Sequence, residues 1–315
     1  MDAASQTNHQ QSTLWNGLAG RGWVEAQDLL DRMFKPLEDL LVEAVCAKLG
    51  GPECASRVLD VGCGTGSTTL AVARLLGAKS DCIGIDISEP MIAAAQARAE
   101  RGGTPASFIH ADAQVHAFEP ASFDLIVSRF GVMFFDNSVQ AFANLRRAAS
   151  DDAELRCVVW RSPAENPFMT TAERAVQGCA SAASAGCAGA AAAAPLLLNL
   201  PARQPNAPGQ FAFADPHRVH RILQESGWAE IDIRPIDVAC TLPEKELVGY
   251  LTRLGPVGRA LQEADEKIRT QVIETVRAAF DPYVHGDQVR FNAACWIVGA
   301  RVPFSSAAPK EWAND

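Results

Sequence analysis

Apolar residues recur at helical spacing from Trp23 to Leu49: Ala26, Leu29, Leu30, Met33, Phe34, Leu37, Leu40, Leu41, Ala44 and Val45. Pro36 divides this stretch into two predicted helices, with the proline in the first turn of the second. Gly50-Gly51-Pro52 ends it. The pattern then alternates. Short apolar runs at Arg57–Val61, Cys82–Asp86, Ser107–His110, Phe123–Ser128 and Glu154–Trp160 read as strands. Between them lie helical patterns at Ser67–Leu76, from Ser88 as cap to about Glu100, and from Asp136 or Asn137 to about Ala149. Strands alternating with helices predict a parallel sheet covered on both faces, the helices being the crossovers.

After Trp160 the rhythm breaks. A helix is predicted near Thr170–Gly178. Ten of the fifteen residues in Ala180–Ala194 are Ala, and Pro195, Pro201, Pro205 and Pro208 follow, which reads as a long flexible connection. Asp215-Pro216 starts a helix that ends at Gly227. Glu230–Val238 and Val289–Val302 read as two more strands, with helical patterns around Leu247–Leu254 and Ala264–Phe280 between them. The expected organisation is a disordered tail at 1–13, an N-terminal helical lid at 14–50, a domain at 51–302 with cap insertions near 163–214 and 243–286, and a C-terminal tail at 303–315.

Composition narrows the function classes. The chain has 315 residues, 28 Lys+Arg against 37 Asp+Glu, and a net charge of −9. That balance argues against a dedicated nucleic-acid binder. No apolar run reaches the roughly 18 residues a membrane span needs. The polar start, Met1 to Trp15, lacks the basic and apolar regions of a secretory signal. Nine cysteines without a CxxC pair predict reduced thiols in a cytoplasm and no structural zinc. No metal site is expected.

The chemistry concentrates in Val58-Leu59-Asp60-Val61-Gly62-Cys63-Gly64-Thr65-Gly66, a strand running into a glycine turn that opens a helix. Glycines let the backbone turn sharply and let a ligand approach closely. The nicotinamide fingerprint G-x-G-x-x-G/A needs Gly or Ala at position 67, where Ser67 stands, and the third glycine arrives one residue early. Asp60 before the turn suits a positively charged ligand better than a pyrophosphate. Asp86, 20 residues after Gly66, ends the second strand where a carboxylate can accept ribose hydroxyls. Ile87 would lie against an adenine. Asp112, after the third strand, is placed to accept from the adenine amino group, with the backbone of Ala113 beside the ring.

At these residues the chain resembles class I S-adenosylmethionine-dependent methyltransferases, in the ubiquinone/menaquinone-methyltransferase-like branch. The resemblance rests on Leu59-Asp60-Val61-Gly62-Cys63-Gly64-Thr65-Gly66, Gly84-Ile85-Asp86-Ile87-Ser88, Ala111-Asp112-Ala113 and Phe123 to Phe135. It implies an α/β, Rossmann-like seven-stranded sheet with the last strand antiparallel, plus a helical cap. Val289–Val302 is the candidate for that strand. It also implies S-adenosyl-L-methionine as cofactor. Gly62, Gly64 and Gly66 would shape the turn under the methionine part, and Asp60 would hold the loop or the ammonium. Asp86 would take the ribose, Asp112 the adenine, and Ser128 would sit near the methionyl group. Trp15 would be part of a lid.

Methyl transfer from a sulfonium needs alignment of the nucleophile and exclusion of water, and needs a general base only when the nucleophile arrives protonated. The expected acceptor is a small, largely apolar metabolite. Phe130, Met133, Phe134, Phe211 and Phe213 are the candidate pocket residues. His217 and Arg129 are the candidates for chemistry at the acceptor, Arg129 facing either the cofactor carboxylate or an anionic acceptor. Rival readings are a non-catalytic S-adenosylmethionine-binding protein and a metalloid/thiol methyltransferase using Cys179 and Cys187. The acceptor, the atom methylated and the oligomeric state stay open.

Overall fold

The computed structural model describes residues 3–184, 198, 200, 202–204 and 206–303. Four helices come first: α1 (Ala3–Asn16), α2 (Leu18–Glu25), α3 (Gln27–Met33) and α4 (Lys35–Leu49). The alternating region then gives β1 (Arg57–Val61), α5 (Ser67–Leu76), β2 (Asp81–Asp86), α6 (Glu89–Gly102), β3 (Ala106–His110), β4 (Phe123–Arg129), α7 (Ser138–Ala148) and β5 (Ala149–Trp160). The remainder gives α8 (Pro167–Ser184), α9 (Pro216–Glu225), β6 (Ala229–Pro243), α10 (Leu247–Arg253), α11 (Gly255–Glu263), α12 (Glu266–Ala279), β7 (Val284–His285) and β8 (Gln288–Arg301).

The sheet runs β3-β2-β1-β4-β5-β8-β6, with the two-residue β7 pairing onto β8. β3, β2, β1, β4 and β5 are parallel, and β8 runs antiparallel between β5 and β6. The antiparallel last strand is the one expected from Val289–Val302. Its pairing with β6 is longer than the apolar run suggested, reaching from Ala229↔Arg301 to Pro243↔Gln288.

The period of two along each strand sorts the core. Val58, Cys82, Leu125 and Val127 pack with Val45 of α4 and with Val72, Ala73 and Leu76 of α5. Their neighbours Leu59, Ile83, Ile85 and Ile126 join the larger cluster that holds Phe142 and Leu145 of α7. The ends of the parallel strands therefore stand between two helical layers, where ligands of open α/β sheets bind.

Helices α8, α10, α11 and α12 pack on one another, and α10 and α11 touch α2. Phe168 of α8 stacks on Phe291 of β8, 3.9 Å between centroids and 4° between planes. A Cβ on Gly22 would lie 2.6 Å from the Arg253 carbonyl oxygen, so α2 seats backbone to backbone on this cap.

Three local expectations give way. The tail expected at 1–13 is instead mostly helical, because Ala3–Asn16 forms α1. The end of α1 is anchored by polar contacts that hydrophobic periodicity cannot reveal: Asn16 donates to the Ile87 carbonyl at 2.9 Å and accepts from the Glu89 N–H at 2.8 Å. The stretch expected as two helices is three, broken at Ala26 as well as at Phe34, just before Pro36. Ser88 stands at the N-cap position of α6, yet its hydroxyl makes no cap bond there. It donates to the Trp15 carbonyl at 2.6 Å and ties α1 to β2.

Candidate functional site

The turn after β1 is built by backbone demands. Gly62, Gly64 and Gly66 all have positive φ, at 67°, 55° and 83°, a region that side chains with a Cβ rarely adopt. The Gly62 and Cys63 N–H groups donate to the Ile85 carbonyl at 2.8 and 3.1 Å, so β2 holds the turn. A Cβ on Gly66 would meet the Phe108 ring at 2.9 Å. Gly62 approaches Gly131, beyond β4, so closely that a Cβ on it would lie 2.5 Å from the Gly131 Cα.

Carboxylates surround this turn. Asp86 accepts from the Gly64 N–H and the Ser88 N–H, both at 2.9 Å. A carboxylate has about four acceptor positions, so two remain for a ligand. Burial raises its pKa, and those two backbone bonds oppose the rise. Asp60 is 2% exposed. One oxygen accepts from the Thr69 hydroxyl at 2.6 Å. The other, Oδ1, is buried without a hydrogen-bond partner among the described residues. Burial pushes the Asp60 pKa up to about 6, against the pull of Thr69 and Arg129. A buried oxygen left without a partner is costly, and such an atom calls for a partner such as an ordered water, an ion or a ligand group.

Asp60 lines a small cleft that is continuous with solvent. The turn residues Gly62, Cys63, Gly64 and Thr65 form its floor, with Thr68 beside them. Trp23, Leu30, Asp31 and Phe34 of the N-terminal helices form one wall, and Arg129 and Phe130 form another. Phe130 has φ +68°, strained for an aromatic residue. Its N–H donates to the Val158 carbonyl at 3.0 Å, and its ring stacks on Trp160 at 4.6 Å with 8° between planes. Phe34 meets Phe130 edge-on at 5.4 Å. Burial holds the Cys63 thiol well above its ordinary pKa, so this cysteine is no ready nucleophile.

The expected site residues divide. Asp60, Gly62, Gly64, Arg129 and Phe130 line the cavity. Asp86 borders it through Gly64, and Gly66 supports the turn from behind. Asp112 lies at the next strand end, accepting from the Gln114 N–H at 2.9 Å, with Ala113 buried beside it. The Ile87 carbonyl accepts from Asn16, at the end of α1. Trp15 meets Phe134 edge-on at 5.0 Å.

The others stand elsewhere. Ser128 is fully buried; its hydroxyl donates to the Val61 carbonyl at 2.8 Å and accepts from Gly131 and Val132. It braces the two turns and does not reach the cavity. Met133 and Phe213 are 1% exposed and belong to the core, Phe213 stacking on Phe142. Phe211 lies under the Arg203 guanidinium at 4.7 Å. His217 is exposed in the first turn of α9 and does not line the cavity. The side chains of Cys179 and Cys187 lie outside the described residues.

Four site features escaped the sequence reading: Glu38, Asp31 with Arg98, Gly131, and the aromatic wall from Phe34 and Trp160. Glu38 had a signal. It falls on the apolar face of its helix, in line with Phe34, Leu41 and Val45, where a charge needs a reason.

Because Asp86 holds Gly64 as well as offering free acceptor positions, Asp86→Ala should weaken nucleoside binding at least tenfold, on the order of 2–4 kcal/mol for lost charged hydrogen bonds. Calorimetric titration with S-adenosylhomocysteine checks this; unchanged affinity would reduce Asp86 to a structural residue.

Comparison with known proteins agrees with this geometry. Residues 58–152 match a family described as methyltransferase domain. The aklanonic acid methyltransferase DauC of Streptomyces sp. (strain C5) is 35% identical over 111 residues, covering 35% of this chain and 48% of that one. A demethylmenaquinone methyltransferase of Thermus thermophilus is 30% identical over 142 residues, covering 45% and 64%. The chain thus spans about half to just under two thirds of the length of these curated relatives. In fold it is similar to the crystal structure of a putative methyltransferase from Bacillus halodurans, with TM-score 0.51 and 13% identity over 84% of this chain and 99% of that one. The glycine turn and the strand order thus agree with the match of residues 58–152 to the methyltransferase-domain family.

Proposed function

We propose that the chain is an S-adenosylmethionine-dependent methyltransferase acting on a small, largely apolar or aromatic metabolite. The observation that carries this reading is the Asp60 carboxylate oxygen, buried without a partner beside a glycine turn whose neighbouring strand ends bring Asp86 and Asp112. Four carboxylates, Asp31, Glu38, Asp60 and Asp86, stand around that turn with two cations, Arg98 and Arg129. Such a surround suits a cationic amino-acid nucleoside and opposes a pyrophosphate. The residues therefore fit S-adenosylmethionine: Asp60 for the ammonium, the glycine floor for the close approach, Asp86 for the ribose and Asp112 for the adenine. When bound, that cofactor supplies a methyl group already activated on a sulfonium.

What remains for the chain is to orient and to exclude water. Trp23, Leu30, Phe34 and Phe130 give the cavity apolar walls on which a flat, apolar acceptor can rest. Among the described residues no histidine lines it, and the acceptor chemistry we favour is one in which the nucleophile needs no histidine base. The net charge of −9 disfavours a polyanionic acceptor such as nucleic acid. Among the described residues no helix is long and apolar enough to cross a membrane. Free thiols at all seven described cysteines support a reducing, cytoplasmic setting.

Incubation with cofactor carrying a labelled methyl group and fractionated cell extract tests the acceptor class. Label should enter the low-molecular-weight organic fraction. Label confined to RNA, DNA or protein would overturn the small-molecule reading.

A further inference from the structure

Glu38 is a glutamate of α4 with 5% exposure, and it lies outside the cavity lining. Its carboxylate accepts a hydrogen bond from the Ser67 hydroxyl. The same oxygen stands 4.0 Å from the Arg129 guanidinium, and the other oxygen lies 3.8 Å from the Lys35 ammonium. Burying a carboxylate is expensive unless it is paired and hydrogen-bonded. Here the two partners shielded from solvent belong to the site: Ser67, buried, is the first residue of α5, directly after Gly66, and Arg129, partly buried, lines the cavity.

The other side of the same glycine is held from α6, with an indirect tie to the N-terminal helices. Arg98 of α6 donates to the Thr65 carbonyl at 2.7 Å and pairs with Asp31 of α3. Thr65 and Ser67 flank Gly66, whose φ is +83°, and α5 has no side-chain N-cap. The turn is thus held on one side directly by a carboxylate of α4 and on the other by Arg98 of α6, itself paired with Asp31 of α3.

We propose that Glu38 is a positioning residue of the cofactor site, fixing Ser67 at the head of α5 and Arg129 at the cavity wall, so that the N-terminal helices preorganise the glycine turn. The proposal rests on the methyltransferase reading and deepens it. Glu38 touches no ligand; it acts through Ser67 and Arg129. Arg129 lies between Glu38 and Asp60 electrostatically. Asp60 is also faced by Asp86 of β2, Cys63 of the turn and Thr69 of α5, and Glu38 by Lys35 of its own helix.

The test uses the full chain and S-adenosylhomocysteine as probe, with affinity measured by calorimetry across pH. Glu38→Gln should weaken binding about tenfold and move the acid limb of binding to lower pH, because Arg129 is then left to Asp60 alone. Ser67→Ala should weaken binding without moving that limb, because the Arg129–Glu38 pair survives. Arg129→Gln should move the limb to higher pH. A Glu38→Gln protein with wild-type affinity and an unmoved limb would overturn the proposal, as would a limb that moves equally in Ser67→Ala. Should Glu38→Gln fail to fold, the other two variants decide it: weakened binding with an unmoved limb in Ser67→Ala and a raised limb in Arg129→Gln support the proposal, and wild-type affinity in Ser67→Ala overturns it. Failure of the wild-type protein to bind the probe would sink the methyltransferase reading itself, a different outcome from a normal wild type with an indifferent Glu38→Gln.

Discussion

Asp60→Asn should make the ligand-free protein more stable at neutral pH while weakening cofactor binding on the order of a hundredfold. Burial has pushed the ionisation of Asp60 up to about 6, against about 3.9 in an unfolded chain. For a carboxyl raised in this way the folded state holds its proton more tightly than the unfolded state. The cost is absent below about pH 4, grows between about 4 and 6, and is complete above that window. Two units correspond to about 3 kcal/mol at pH 7. The amide keeps an oxygen for the Thr69 hydroxyl and removes the charge. Thermal unfolding should therefore show a gap in favour of Asp60→Asn at pH 7.5 that closes toward pH 4.5. Wild-type affinity for S-adenosylhomocysteine should fall as pH drops through about 6, and the Asn variant should lack that limb. A variant that is less stable at pH 7.5 and binds normally would contradict this assignment.

The second large effect is expected at Gly131. A Cβ there would lie 2.3 Å from the Val61 carbonyl oxygen and 2.6 Å from the Gly62 Cα. Both are backbone atoms, and Ser128 locks the two turns together by bonding Val61, Gly131 and Val132. The clash cannot be relieved by rotating a side chain. Gly131→Ala should cost about 3 kcal/mol or more in denaturant unfolding, the range reached by strain and overpacking. Gly62→Ala should be similar, since it adds a positive φ to the same collision. Gly64→Ala is the control: its Cβ would meet only the Met91 sulfur at 3.6 Å. It should cost about 1–2 kcal/mol, the conformational penalty alone. Equal losses at Gly131 and Gly64 would show that the close approach of the two turns is unimportant.

The contrast between these positions shows what was legible in the chain. Gly62, Gly64 and Gly66 are readable because a turn between a strand and a helix is a local event. Asp60, Asp86 and Asp112 follow once each is counted from its own strand end. Gly131 is invisible in that reading, because its requirement comes from a turn 69 residues away that only the β1–β4 pairing brings near. Ser128 was expected near the ligand from its place at a strand end. The pleat turns its hydroxyl inward, a matter of one residue in register. Met133 and Phe213 look like pocket residues by composition, but apolar residues near a strand end serve core and cavity alike. Arg129 carried the signal of a lone charge in an apolar segment and Glu38 that of a charge on an apolar helix face, but its 29-residue separation from Ser67 hid what Glu38 contacts.

Everything proposed for the site depends on the glycine turn holding a cationic amino-acid nucleoside. Calorimetric titration of the wild-type protein at pH 7.5 with S-adenosylmethionine, S-adenosylhomocysteine, NAD and NADP tests it most directly. Saturable binding of the first two and no detectable binding of the dinucleotides is the expected result; tight NAD binding without a response to S-adenosylmethionine would overturn the assignment.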